Sequence, residues 1–146
     1  AAWRRRIESL AGVVHLLKIS AEDLELLYPG RAHEEAARAW LAQGVRLVVI
    51  TRGSQGAAAW TRRRHAALPG RPISVVDTVG AGDSYQAALL AGLAEGGCLD
   101  AARLDALGES ALAGLLAFAA EAAALTCTRR GADLPRRTEL APLTSF

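Results

Sequence analysis

Apolar positions along this chain fall into two kinds of stretch, short continuous runs and longer segments with apolar residues three or four apart. Val13 to Ile19, "VVHLLKI", is the first continuous run and predicts a buried strand. Ser20 then caps a helix, with Asp23 three residues on in a near capping box. That helix runs through Leu24 and Leu27 and ends at Tyr28-Pro29-Gly30. Residues 33–43 place Ala36, Ala37, Trp40 and Leu41 on one face, predicting a second helix that Gly44 stops. Val45 to Thr51, "VRLVVIT", is the most strand-like segment, and its unbroken apolar core predicts burial on both faces. Two further strands, Ala57 to Thr61 and His65 to Leu68, are predicted to turn at Arg62-Arg63-Arg64. Ile73 to Val76 reads as a short strand leading into Asp77. The pattern is helical from Ala81 to about Glu95, again near 99–107, and over 109–125. The tail, with Gly131, Pro135 and Pro142, reads as irregular.

Strands alternating with helices predict a parallel α/β sheet with helices packed on its faces. In such sheets ligands sit at the carboxyl ends of strands, where loops and helix N-termini gather. Two glycine motifs occupy that kind of position. "TRGSQG", Thr51 to Gly56, follows the strongest strand, and "DTVGAGD", Asp77 to Asp83, follows "ISVV". Both are therefore expected to face one crevice.

Composition narrows the classes. With 146 residues the chain is expected to form a single domain, residues 1–146, around one core. Apolar residues at 51% and charged residues at 22% are those of a folded protein rather than a disordered one. A net charge of +2 is too small to argue for nucleic acid or a membrane surface as partner. The arginine clusters are short, have few aromatics beside them, and read as solvated. Cys98 and Cys127 make neither a metal set nor a disulfide framework and read as small buried apolar groups, which fits a reducing cytoplasm. Nothing resembles a signal peptide, and the apolar run from Ala111 to Leu125 is interrupted by Glu121 and too short to span a bilayer.

The chemistry concentrates in "DTVGAGD". Gly80 and Gly82 lack a Cβ, so the chain can turn tightly and bring its amides close to a ligand. Amides at a helix start make an anion site, because the first of them have no internal partner. An aspartate in such a site repels a merely stored phosphate, yet it makes sense where phosphoryl transfer occurs. There a carboxylate takes the proton of an attacking hydroxyl while the amides stabilise the moving group. Asp83 fits the base, and the amides from Gly80 through Ala81 and Gly82 to Asp83 fit the cradle. A Walker loop is excluded, since no GxxxxGK[ST] exists, and "GAGDSY" lacks the third glycine of a dinucleotide fingerprint. A tight strand-to-helix turn with an acidic first helical turn remains the purely structural reading.

"DTVGAGDSY" resembles the C-terminal signature of the PfkB carbohydrate kinases, also called the ribokinase family. "LLKISAEDLELLYPG" resembles that family's Lys-x-Asn-x-x-Glu stretch, "VVITRGSQGAAAW" its nucleotide loop, and "AAALTCTRRGADLP" its final loop beside the adenine. In style the motifs are most similar to those of bacterial fructokinases. The resemblance covers the whole chain but only the C-terminal half of such a kinase. It implies an α/β, ribokinase-like, Rossmann-type three-layer sandwich, present here as its nucleotide-binding half without the sugar-binding and lid half. It also implies Asp83 as base, with Gly80, Ala81, Gly82 and Asp83 as the anion hole. Thr51, Gly53, Ser54 and Gly56 would line the nucleotide site, with Leu115 and Ala119 near the adenine. A monovalent cation, usually potassium, would meet the Asp77 carboxylate, the Val79 carbonyl and carbonyls around Thr126 and Gly131. Asp23 would organise magnesium through water in place of the family's Glu, and Ser20 stands where the family often has Asn. Pro135 stands where some members supply a serine near the cation.

The function expected is ATP-dependent phosphorylation of a sugar hydroxyl, with fructose first, and with ATP, magnesium and potassium as cofactors. Another sugar, a sugar acid or a nucleoside is an alternative acceptor, and a non-catalytic nucleotide-binding module is an alternative class. If half the sheet is missing, an apolar strand edge is exposed beside Val13 to Ile19 or Val45 to Thr51, so self-association or poor solubility is expected.

Overall fold

A strand whose side chains are almost all apolar must be covered on both faces, and Leu47–Thr51 is such a strand. In the computed structural model, which describes residues 2–143, Leu47 and Val49 enter one apolar layer while Val48 and Ile50 enter another. All four are fully buried. The chain order is α1 (Ala2–Leu10), β1 (Leu16–Ser20), α2 (Ala21–Leu27), α3 (His33–Gln43), β2 (Leu47–Thr51), β3 (Ala57–Trp60), β4 (His65–Leu68), α4 (Ala81–Glu95), α5 (Ala101–Ala106) and α6 (Glu109–Cys127). Short 3-10 turns add Gly53–Gln55 and Arg137–Glu139.

The strands lie side by side in sequence order. On one face α2 and α3 bring Leu24, Ala36, Ala37, Trp40 and Leu41 against Val48, Ile50, Ala58 and Trp60. On the other, α4, α5 and α6 bring Leu89, Leu93, Leu104, Leu112 and Leu116 against Leu47, Val49, Ala57 and Ala59. Helix, sheet and helix make the three layers. The face of α3 predicted from spacing is the buried one, and Gly44 ends that helix at φ +128°.

Three expectations need correction, and one element, α1, was not anticipated. The sheet is mixed, because only β1 and β2 are parallel, with Ser20 opposite Thr51, while β2, β3 and β4 form an antiparallel meander. The stretch from Arg52 to Gly56 is too short for the crossover that a parallel neighbour requires. Ile73 to Val76 is not a strand. It has no ladder partner among the described residues, Val75 and Val76 are exposed, and the Val76 and Asp77 amides instead donate to the Cys127 carbonyl at 2.8 and 3.2 Å. The amino-terminal residues form α1, whose apolar face the three arginines obscure in the sequence and whose Arg4–Glu8 pair spans one turn. Finally, α6 is 19 residues, long and apolar enough by composition to match a membrane span, although eight of its side chains are buried inside the protein. Of the two strands expected to carry an open edge, β2 is interior and β1 is the edge strand.

Candidate functional site

Gly80 sets up the turn. Its φ of +82° lies in the left-handed region, which lets the chain reverse directly into α4. A Cβ at this position would stand 2.9 Å from that of Ala132, so the turn also lies hard against the tail. The Ala81 amide donates to the Thr78 carbonyl at 3.2 Å, and the Ser84 amide to the Gly80 carbonyl at 2.8 Å. The Gly82 and Asp83 amides between them have no acceptor among the described residues. Two free N–H groups at the positive end of a 15-residue helix form an anion-seeking surface. Asp83 is exposed there and makes no hydrogen bond among the described residues.

Lys18 adds the charge that the sequence reading left without a role. It extends from β1 toward α4, and its Nζ donates to the Gly82 carbonyl at 3.4 Å. Burial lowers its pKa below the ordinary lysine value, and the carboxylates of Asp23 and Asp83 work against that effect. Lys18 therefore brings Asp23 and Asp83 into one electrostatic cluster. The available signal was its place as the chain's one lysine, inside an otherwise apolar strand. Ser20 caps α2 as expected. Its hydroxyl accepts the Asp23 amide at 3.0 Å and donates to Asp23 Oδ2 at 2.7 Å.

Asp77 ties the turn to the loop after α6. Its Oδ1 accepts the Val79 amide at 3.1 Å, and its Oδ2 accepts the Gly131 amide at 2.8 Å. These backbone donors, Val79 first, hold the Asp77 carboxyl below the usual carboxylate range. Asp77, Val79 and Gly131 are thus brought together. Thr126 lies one layer deeper, with its hydroxyl fully buried and its carbonyl accepting the Arg129 amide at 3.0 Å.

The second glycine motif is held by backbone against backbone. Gly56, at φ +93°, and Gly70 lie so close that a Cβ on Gly70 would stand 1.7 Å from the Ser54 carbonyl oxygen. Thr51, Gly53, Ser54 and Gly56 consequently form one rigid loop at the end of β2, beside Ser20 on β1. Gly70 was not anticipated, because its partner is 16 positions away and leaves no local mark. Leu115 and Ala119 are a correction. Both have no exposed surface and pack within the α4–α6–sheet core, so neither is available to touch an adenine.

The fit for bound groups differs by group. Free amides and Lys18 suit a phosphate. No three His, Cys, Asp or Glu side chains converge on a metal position among the described residues, so the chain offers no side-chain cage of its own. Asp23 has one oxygen engaged by Ser20 and stays exposed, which suits a single carboxylate facing a hydrated magnesium that a nucleotide brings. For a monovalent cation, the Thr126 and Gly131 carbonyls already accept the Arg129 and Asp133 amides. The Asp77 oxygens each accept one backbone amide and keep a lone pair, and the Val79 carbonyl accepts none among the described residues.

Fold and turn together define a class, a three-layer α/β domain carrying an acid at an anion-seeking helix start. Residues 1–139 match the profile of the pfkB family carbohydrate kinases, and the chain belongs to that family. It is 39% identical to the fructokinase of Rhizobium leguminosarum bv. trifolii over 107 residues, which cover 73% of this chain and 33% of that protein. A fructokinase with bound ATP from Xylella fastidiosa matches at TM-score 0.77 and 28% identity, over 88% of this chain and 41% of that one. A fructokinase double mutant from Vibrio cholerae O395, in a form bound to fructose, ADP and potassium ion, matches at TM-score 0.72 and 25% identity, over 88% and 39%. The fold is therefore the ribokinase-like sandwich. The chain spans between 33% and 41% of the length of these relatives.

Proposed function

We propose that this chain carries the phosphoryl-transfer half of an ATP-dependent sugar kinase, with fructose as the first acceptor to test. The observation that carries the reading is the unengaged Asp83 carboxylate standing beside two free amides and the Lys18 ammonium. In the reaction the acceptor hydroxyl oxygen attacks the γ-phosphorus while its proton passes to the Asp83 carboxylate. The bond from the γ-phosphorus to the bridging oxygen breaks, and ADP leaves with that electron pair. The Gly82 and Asp83 amides hold the equatorial oxygens, supported by Gly80 and Ala81 in the turn. Lys18 offsets the repulsion that Asp83 exerts on the approaching phosphate.

Thr51, Gly53, Ser54 and Gly56 face the nucleotide, and Asp23 faces magnesium that arrives with it. When bound, magnesium neutralises phosphate charge. Asp77 and the Val79 carbonyl are the remaining cation-side groups, so a potassium effect, if present, acts through the turn they hold.

The alternative is a non-catalytic nucleotide-binding module built on the same anion-seeking turn. On that reading it binds ATP without turnover, or supplies the catalytic face to another polypeptide. The test is ADP release from Mg-ATP across sugars, with and without potassium. It is run on this chain and on a version extended at its amino terminus with the portion of the Rhizobium relative that the chain does not span. Asp83→Asn is expected to lower turnover of the extended protein by about a thousandfold while changing ATP affinity by less than about threefold. Equal loss of both removes Asp83 from the base role. ATP binding by both proteins without turnover on any acceptor favours the binding module.

A further inference from the structure

Beneath the turn, two hydroxyls meet across the α4–α6 interface. Ser84 and Thr126 are 2% and 0% exposed, and their side-chain oxygens lie 2.6 Å apart. Thr126 Oγ1 is also 3.1 Å from the Ala122 carbonyl oxygen. A carbonyl can only accept, so Thr126 gives its hydrogen to Ala122 and accepts the hydrogen of Ser84. The relay thus has a direction, from Ser84 through Thr126 to the backbone of α6. Ser84 directly follows Asp83, and its amide makes the 2.8 Å bond that opens the helical ladder of α4. Thr126 stands in the last turn of α6, next to Cys127, whose carbonyl holds the Val76 and Asp77 amides.

Burying two hydroxyls in an otherwise apolar interface gives little net stability, since a well-packed apolar pair at the same place is close to neutral. What the pair does add is directional register, because it is satisfied at only one offset of the two helices. We infer that Ser84 and Thr126 are positioning residues, fixing where Asp83 and the free amides stand relative to the rest of the site. The catalytic half of this inference rests on the kinase reading, while the geometric half does not.

Four variants test it: Ser84→Ala, Thr126→Val, Thr126→Ser and the double Ser84→Ala/Thr126→Val. Thr126→Val strands a buried Ser84 hydroxyl and is expected to lower the unfolding midpoint most. The double variant removes both polar partners and is expected to return close to wild type. Amide hydrogen exchange on this chain is the decisive readout. Thr126→Val and the double variant are expected to speed exchange at Ser84 and Tyr85 by about tenfold relative to Leu93 at the far end of α4. Thr126→Ser is expected to restore the wild-type ratio. Exchange that rises in step along the whole helix, or not at all in the double variant, overturns the inference.

In the extended enzyme the double variant is expected to lose about tenfold in kcat with KM for ATP changed less than about twofold. A matching rise in KM overturns the positioning role. If the extended protein turns over on no acceptor, the kinase reading fails, and the exchange experiment still decides the geometric half.

Discussion

Gly70→Ala probes how the second glycine motif is held. A Cβ at Gly70 would lie 1.7 Å from the Ser54 carbonyl oxygen, 2.5 Å from its carbon and 3.0 Å from the Gly56 nitrogen. An ordinary carbon–oxygen contact begins at about 3.3 Å, so roughly 1.5 Å must be absorbed by main chain on both sides. No rotamer change can relieve the clash, because every atom it meets belongs to backbone. Overpacking of this kind costs about 2–3 kcal/mol, which is roughly 7–10 °C in midpoint for a domain of this size. The motion falls on Ser54 and Gly56, so Mg-ATP affinity is expected to drop by at least about tenfold, in line with the steep cost of a 1 Å misplacement. Circular dichroism melting and titration calorimetry with Mg-ATP measure the two effects. Gly53→Ala is the control. Its Cβ would meet nothing within 4 Å, and its φ of +53° leaves only the left-handed penalty of about 1 kcal/mol. If Gly70→Ala melts within a degree of wild type, or behaves like the control in both assays, the backbone contact does not hold the loop.

Three further outcomes are expected. The Asp77 carboxyl is held below its ordinary value of 3.8, so its stabilisation is complete above that value and is lost as pH falls through the lower, folded one. Urea midpoints for wild type are therefore expected to fall below about pH 4 more steeply than those of Asp77→Asn, and parallel curves refute the tie to Val79 and Gly131. For Lys18 the slope has the same sign but the opposite origin, a charge that burial disfavours. The unfolded chain holds its proton to the ordinary 10.5 while the folded chain releases it earlier, so stability gains as pH rises between the two, and Lys18→Met is expected to lose that gain. Equal slopes for the two proteins as pH rises toward 10.5 would remove burial as the dominant influence on Lys18. Last, free ATP is expected to bind at least about tenfold more weakly than Mg-ATP, because Asp23 and Asp83 outnumber Lys18 around the turn. Equal affinities would mean that the carboxylates stand away from the phosphates.

What the sequence disclosed was what neighbouring residues decide. Ser20 capping α2, Trp40 and Leu41 on the buried face of α3, Gly44 at its end, and the span of α4 all follow from spacing over a few positions. The place of Asp83 at a helix start with free amides was legible for the same reason, because the glycines and the acid are neighbours in sequence. Pairing was less legible. "ISVV" has the composition of a strand, yet no ladder partner is in reach among the described residues, and its last amide goes to the end of α6. Leu115 and Ala119 lie on a helix apolar almost all round, so periodicity could not separate the side facing a ligand from the side facing the core. Lys18 and Gly70 each act through a partner far along the chain, Gly82 for one and Ser54 for the other, and spacing carries no record of such partners.

The signature turn is thus local in sequence but not in construction. Its entry is held by the Cys127 carbonyl, its middle by the Asp77 bond to Gly131, and its exit by the Ser84–Thr126 relay. All three attachments lead to the end of α6 or the loop beyond it. Among the described residues, Lys18 is the one that reaches the turn from the sheet by a hydrogen bond, across a 3.4 Å contact that half-buried surroundings make expensive for a charge. A turn copied without the end of α6 would keep its glycines and its aspartate while losing the bonds that aim them. The Asp83 carboxylate is left without a hydrogen bond among the described residues, beside the free Gly82 and Asp83 amides. The helix dipole and Lys18 both favour a carboxylate at this helix start, so position alone assigns no role, and what marks Asp83 is that it stays exposed and unbonded there. The physical argument for its role is the contrast between a turn tethered at three points and the free acid and free amides that it holds out together.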